Sequence, residues 1–205
     1  LTDKGSGKYT FTMPGSRVEV KATFMEDNAV LSFFYDVPND SFYYEAVKWA
    51  VGKNITSGVG NNLFAPDQPC TRAQIVTFLW RAAGSPAPES TTMPFTDVPA
   101  GSYYHSAVLW AIENGVTVGT SADAFSPDAD CTRAQIVTFL WRAEGSPAAG
   151  SSDSFPDVAA DAYYADAVLW AVKEGITNGS TATTFSPDVT CTRAQAVTFL
   201  YRCMK

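Results

Sequence analysis

Three arginines, Arg72, Arg133 and Arg193, each follow a threonine and precede Ala-Gln within one stretch that runs over residues 70–81, 131–142 and 191–202. A guanidinium presents five donors in a planar fork and can clamp a carboxylate through two parallel hydrogen bonds. The threonines Thr71, Thr132 and Thr192 stand three residues before Gln74, Gln135 and Gln195, and an apolar run follows each pair. That pattern is a capping box, which makes the threonine a helix N-cap and places the arginine at N1. The positive end of the helix dipole disfavours a cation there by roughly 0.3–1 kcal/mol. A capping box asks for no particular N1 residue, so the same choice made three times points to an anionic partner. The competing reading is a salt bridge to an aspartate of the same chain. On the first reading, removing the arginine abolishes binding and leaves the melting temperature nearly unchanged.

The other reactive residue types point away from catalysis. His105 is the one histidine of the chain and aligns with Tyr44 and Ala165 in the other copies, so neither a Ser-His-Asp nor a zinc arrangement is supported. Asp36, Asp97 and Asp157 recur once per copy, which puts them on separate units rather than in the adjacent pair that glycoside hydrolysis needs. Cys131 and Gln135 have the types for a thioester, but a glutamine reaching back to its N-cap amide is already occupied. Cys70, Cys131 and Cys191 fall at N′, where an apolar staple residue is expected, so they read as buried, reduced packing groups. Cys203 lies at the opposite end of the last helix from Cys191, too far to bridge it, and is also expected to be a free thiol.

These residues require a repeated scaffold. The cysteines stand 61 and 60 residues apart, and a fixed period of that size marks stacked units, none of which buries its apolar face alone. Each copy opens with Phe34-Tyr35-Asp36-Val37, Phe95-Thr96-Asp97-Val98 or Phe155-Pro156-Asp157-Val158, and a helix follows. Its buried face is marked by Val47, Ala50 and Val51, by Val108, Ala111 and Ile112, and by Val168, Ala171 and Val172. Trp49, Trp110 and Trp170 beside that face read as core. Asn54, Gly115 and Gly175 are the residue types that end a helix in the left-handed conformation. A loop then passes Gly58, Gly119 and Gly179 to Phe64-Ala65-Pro66-Asp67 and its two counterparts, and so to the capping-box helix. Residues 84–88 and 145–150 have the composition of flexible linkers.

Before the repeats, residues 9–13 and 18–24 alternate apolar and polar side chains around Pro14-Gly15-Ser16, which predicts a β-hairpin. Leu1 followed by polar residues reads as the interior of a longer chain. With 46% hydrophobic residues the chain has the material for a core. A net charge of −7, from 14 basic and 21 acidic residues, offers no basic face for nucleic acid. No apolar run approaches the roughly 20 residues of a membrane span, and neither a cofactor nor a metal site is indicated.

Phe-x-Asp-Val, the first helix, Gly-(Ile/Val)-Thr-x-Gly, Phe-x-Pro-Asp and Thr-Arg-Ala-Gln, in that order and three times over residues 34–205, resemble the S-layer homology (SLH) module. The resemblance implies a mainly α fold of three helix-loop-helix repeats packed as a pseudo-threefold unit, here with a short N-terminal β-hairpin. The divisions expected are residues 1–28 as the last strands of a preceding β-repeat module, then repeats over 29–88, 89–149 and 150–205. The implied function is non-enzymatic and exported: non-covalent anchoring of a surface protein to the bacterial cell wall through an anionic, often pyruvylated, secondary cell-wall polysaccharide in the inter-repeat grooves. A module of surface-layer self-assembly, without glycan binding, is the alternative. The family's Thr-Arg-Ala-Glu motif carries binding onto Thr71-Arg72, Thr132-Arg133 and Thr192-Arg193, with helix N-terminal amides as further anion donors. Asp36, Asp97 and Asp157 for sugar hydroxyls and Gly58, Gly119 and Gly179 for close approach are second-rank candidates. The chain departs from the family in Gln74, Gln135 and Gln195 for glutamate, in Phe42, Tyr103 and Tyr163 where a tryptophan is frequent, and in Leu63, Ala124 and Thr184 for a glycine. The third repeat differs most, through Ala196, Tyr201 and Cys203, which marks its groove as the weakest.

Overall fold

The computed structural model describes residues 34–150 and 155–205, with Thr2, Asp3, Tyr9, Thr10, Thr12 and Gly15 ahead of them. The first elements are β1 (Thr2–Asp3) and β2 (Tyr9–Thr10), an antiparallel pair with Thr2 opposite Thr10 and Asp3 opposite Tyr9. The second strand of the expected hairpin, residues 18–24, lies outside the described residues.

Each repeat contributes two helices: α1 (Tyr44–Gly52) and α2 (Arg72–Ala82), α3 (His105–Glu113) and α4 (Arg133–Ala143), α5 (Ala165–Lys173) and α6 (Arg193–Met204). The first helix of each pair stops where its sequence says. Asn54, Gly115 and Gly175 take φ of +57°, +66° and +69°. In each case the next residue, Ile55, Val116 or Ile176, donates its amide back to the carbonyl of Ala50, Ala111 or Ala171 at 2.8 Å. That residue is also fully buried. This is the Schellman arrangement, in which a turn and a hydrophobic contact close the helix together.

The two helices of one repeat find their main partners elsewhere. α2 packs on α3, α4 on α5, and α6 closes the ring onto α1, while α2, α4 and α6 meet one another at the centre. One continuous core results, and no repeat could keep its helices covered without its neighbours.

The ring is sealed on its axis by the backbone of the three cysteines. Cys70 donates to the Cys191 carbonyl, Cys131 to Cys70 and Cys191 to Cys131, at 2.8–2.9 Å. All three side chains are free thiols with no exposed surface, as the staple position requires. The linkers depart from expectation. Trp80 and Trp141 donate their indole N–H to the Pro86 and Pro147 carbonyls at 2.8 Å, and the Glu113 carboxylate receives the amides of Glu89 and Ser90. A half-buried tryptophan needs a partner for its N–H, and the linker supplies it.

Candidate functional site

All three capping boxes form. The hydroxyls of Thr71, Thr132 and Thr192 accept the amides of Gln74, Gln135 and Gln195, and the glutamine oxygens accept the threonine amides in return, at 3.1–3.3 Å. The remaining N-terminal amides are taken as well. Arg72 and Ala73 donate theirs to Ala129 and Pro127, Arg133 and Ala134 to Val189 and Pro187, Arg193 and Ala194 to Gln68 and Pro66. The expectation that these helix ends offer amides to an anion is therefore corrected: the next repeat's loop has satisfied the donors that a helix start leaves open.

The arginines obey neither simple reading. They are 4%, 4% and 2% exposed, and among the described residues no carboxylate lies within ion-pair distance of them. Each Nε donates to the carbonyl of a loop phenylalanine one repeat on, Arg72 to Phe125, Arg133 to Phe185 and Arg193 to Phe64, at 2.8–2.9 Å. The guanidinium lies between two rings of that neighbour. For Arg72 these are Phe125 at 4.8 Å and Phe139 at 5.3 Å, and the pattern repeats at Arg133 and Arg193. Carbonyls of every second loop residue thus face each helix start, which offsets the dipole cost of a cation at N1. Burial lowers the pKa of all three guanidiniums from the usual arginine range.

The aspartates and glycines hold the loop that receives the arginine. Asp36 accepts the amides of Phe64 and Ala65, Asp97 those of Phe125 and Ser126, Asp157 those of Phe185 and Ser186, at 2.7–2.9 Å. Both oxygens of each carboxylate are engaged. Burial raises the Asp157 carboxyl, but the Phe185 and Ser186 amides and the Arg133 charge outweigh it and keep the pKa below the ordinary range. The clamp stabilises a costly backbone: Ala65, Ser126 and Ser186 precede proline with φ of +58° to +59°, a conformation worth about 1–3 kcal/mol of strain. Gly119 has φ of +85°, and a Cβ there would stand 2.5 Å from the Phe95 ring and 2.6 Å from the Ala124 carbonyl. Close approach does require glycine, but the approaching group is the repeat's own opening phenylalanine.

What these contacts leave open is a groove of about 350 Å³ lined by Arg72, Thr117, Val118, Gly119, Thr120, Gln135, Thr138, Phe139, Arg142 and Tyr163. Three repeats build it: Arg72 from the first, the loop and α4 from the second, Tyr163 from the third. Among the described residues no acidic side chain lines it. Nη2 of Arg72 is buried there without a hydrogen-bond partner, as is Nη2 of Arg193. Such an atom costs about 1–3 kcal/mol or more while unpaired. Arg142 is held at its far end by a 3.5 Å contact to the Val116 carbonyl. Of the residues expected to bind, Arg72 and Gly119 reach this groove, beside Gln135, expected only to cap its helix; Asp97 and Thr132 support it from outside its lining. Sequence reasoning missed Arg142, the last residue of the repeated stretch, and Tyr163, which it had noted only as a departure from tryptophan.

Residues 33–76, 94–137 and 154–197 match the family described as S-layer homology domain. Each match runs from the opening phenylalanine into the capping-box helix and so includes the clamp, the loop and the arginine. The "Cell surface protein" of Thermoanaerobacter kivui is 35% identical over 116 residues, 55% of this chain and 15% of that protein. The "Surface-layer 125 kDa protein" of Lysinibacillus sphaericus is 31% identical over 153 residues, 73% of this chain and 13% of that protein. An "Amylopullulanase" of Thermoanaerobacterium thermosulfurigenes is 26% identical over 208 residues, 97% of this chain but 10% of the enzyme. The chain thus spans 10–15% of the length of these relatives.

Proposed function

The chain belongs to the S-layer homology domain family, and from that premise we propose that it anchors a surface protein to the bacterial cell wall by binding an anionic, pyruvylated secondary cell-wall polysaccharide in the grooves between its repeats. It is an exported protein of the cell surface. Proteins as different as a surface-layer protein and an amylopullulanase carry a segment of this kind in a small part of their length, which fits a holding role rather than a catalytic one.

The observation that carries the reading is the Nη2 of Arg72, unpaired among the described residues, in a groove that no described acidic residue lines. A ketal carboxylate entering there pairs a buried donor that folding has left open and replaces no internal ion pair. Arg142 adds a second cation, and Gln135, whose oxygen is spent on the Thr132 amide, keeps its amide nitrogen for a ligand. With a net charge of −7, the chain repels an anionic polymer at long range, so attraction arises at contact distance. In this reading Asp36, Asp97, Asp157, Thr71, Thr132 and Thr192 position the site, and Gly58, Gly119 and Gly179 shape its wall.

Sedimentation with purified cell walls, before and after chemical extraction of the secondary polymer, tests the proposal. Binding to intact walls and its loss on extraction are expected. Equal binding to extracted walls, or self-association without wall binding, would replace the reading with one of lattice assembly.

A further inference from the structure

Resting on the anionic-ligand reading above, we propose that the aromatic residue lent by the most distant repeat decides which grooves bind. Tyr163 completes the Arg72 groove. The same cyclic order, with Arg193 on the Phe64 loop and Arg133 on the Phe185 loop, assigns Tyr103 to the Arg193 groove and Phe42 to the Arg133 groove. In this proposal the two grooves with a tyrosine each take one carboxylate-bearing sugar, and the one with Phe42 takes none.

Two independent features separate the grooves in the same way. The first is the state of the arginine. Nη2 is buried and unpaired in Arg72 and Arg193, but in Arg133 it donates to the Thr177 hydroxyl at 3.5 Å. A ligand therefore meets an unsatisfied donor in two grooves, and in the third a donor that already has a long contact to set aside, for a smaller net gain. The second is the aromatic residue. Phe42, Tyr103 and Tyr163 occupy one repeat position with one geometry, each packing edge-on against the following tyrosine at 5.0–5.1 Å. They remain 66%, 59% and 61% exposed, so their outer edges face solvent where an incoming sugar passes. Only the two tyrosines add a hydroxyl that can donate to a carboxylate held by the guanidinium. Partial desolvation and the neighbouring phenol hold both hydroxyls above the ordinary tyrosine range, and like any tyrosine they are neutral donors at neutral pH. The sequence singles out the third repeat as the odd member; by these contacts the odd groove is the one holding Arg133.

The test is calorimetric titration of the whole chain with a methyl hexopyranoside carrying a 4,6-linked pyruvate ketal, the ketal-free glycoside serving as control. The expected stoichiometry is two. Tyr163→Phe together with Tyr103→Phe should weaken binding at least tenfold, and Phe42→Tyr should raise the stoichiometry to three. All three positions are surface ones, and unchanged melting curves confirm that folding is not at issue. Three equal sites in the natural chain, undiminished binding after the double substitution, or a stoichiometry still at two in Phe42→Tyr would each overturn the inference while leaving the anionic-ligand reading standing. No binding of the ketal sugar by the natural chain would overturn both.

Discussion

The axis and the grooves use the same chemistry to opposite ends. On the axis, the amides and carbonyls of Cys70, Cys131 and Cys191 pair in a closed cycle, and the surrounding side chains are buried thiols. In the Arg72 groove, a few ångströms along the same helix start, a guanidinium is held by one carbonyl and two rings yet keeps a nitrogen unpaired. Symmetry explains the contrast. A group near the threefold axis meets its own copies and can satisfy them, whereas a group in a seam meets whatever the neighbouring loop presents. Unpaired polarity therefore collects in the seams, and that is where a ligand finds partners.

Arg72 belongs to both regions, and removing it should have the largest effect. Arg72→Ala strips the Phe125 carbonyl of its partner and opens a void between two rings, so a loss of about 3 kcal/mol is expected. This revises the expectation of an unchanged melting temperature, because that expectation counted the dipole and not the inter-repeat bond. A melting temperature within a degree of the natural chain would show that the seam does not depend on this contact. Arg72→Lys should lie between the two, since an ammonium cannot stack and bond in the same plane.

Gly119→Ala should cost about 2–3 kcal/mol, because the left-handed backbone and the Phe95 ring both exclude a methyl group. Chemical denaturation would measure it, and a neutral result would mean that the groove wall yields. Asp97→Asn keeps one acceptor but replaces the other by an NH2 donor that faces a backbone N–H, and a loss of about 2 kcal/mol is expected by the same measurement.

The axis can be probed by pH. Burial pushes the Cys131 and Cys191 thiols up to about 12, whereas an unfolded thiol ionises near ~8.5. The unfolded chain releases its protons first, so the stability these thiols lend is intact below about 8.5. It then falls by about 1.4 kcal/mol per pH unit for each thiol as the pH rises toward the folded value. Urea midpoints between pH 8 and 10.5 should decline accordingly, and a flat profile would mean that the thiols are ionisable in place. The smallest effect on stability belongs to Gln135→Glu. It keeps the capping geometry and changes folding by under about 0.5 kcal/mol, yet sets a negative charge beside Arg72. Affinity for the ketal sugar should fall several-fold at low salt and recover partly at high salt.

Much of this molecule follows from residues close together in the chain. Thr71 and Gln74 announce a capping box within four positions, and Asn54, Gly115 and Gly175 mark helix ends because few residues tolerate a left-handed backbone. The repeat period, the helix pairs, the apolar cysteines and the family were legible for the same reason: each is a local pattern copied three times. The partner of each arginine was not. Nε of Arg72 meets a carbonyl 53 residues away, and Nε of Arg193 one that is 129 residues away. Nothing in the local pattern distinguishes a carbonyl from an aspartate or a ligand at that distance. Tyr163 reaches the groove from a third repeat only because α6 closes the ring onto α1. The sequence by itself determined the threefold repeat and the ends of its first helices; closure of three units around one axis decided which donors are spent on neighbours and which remain for a ligand.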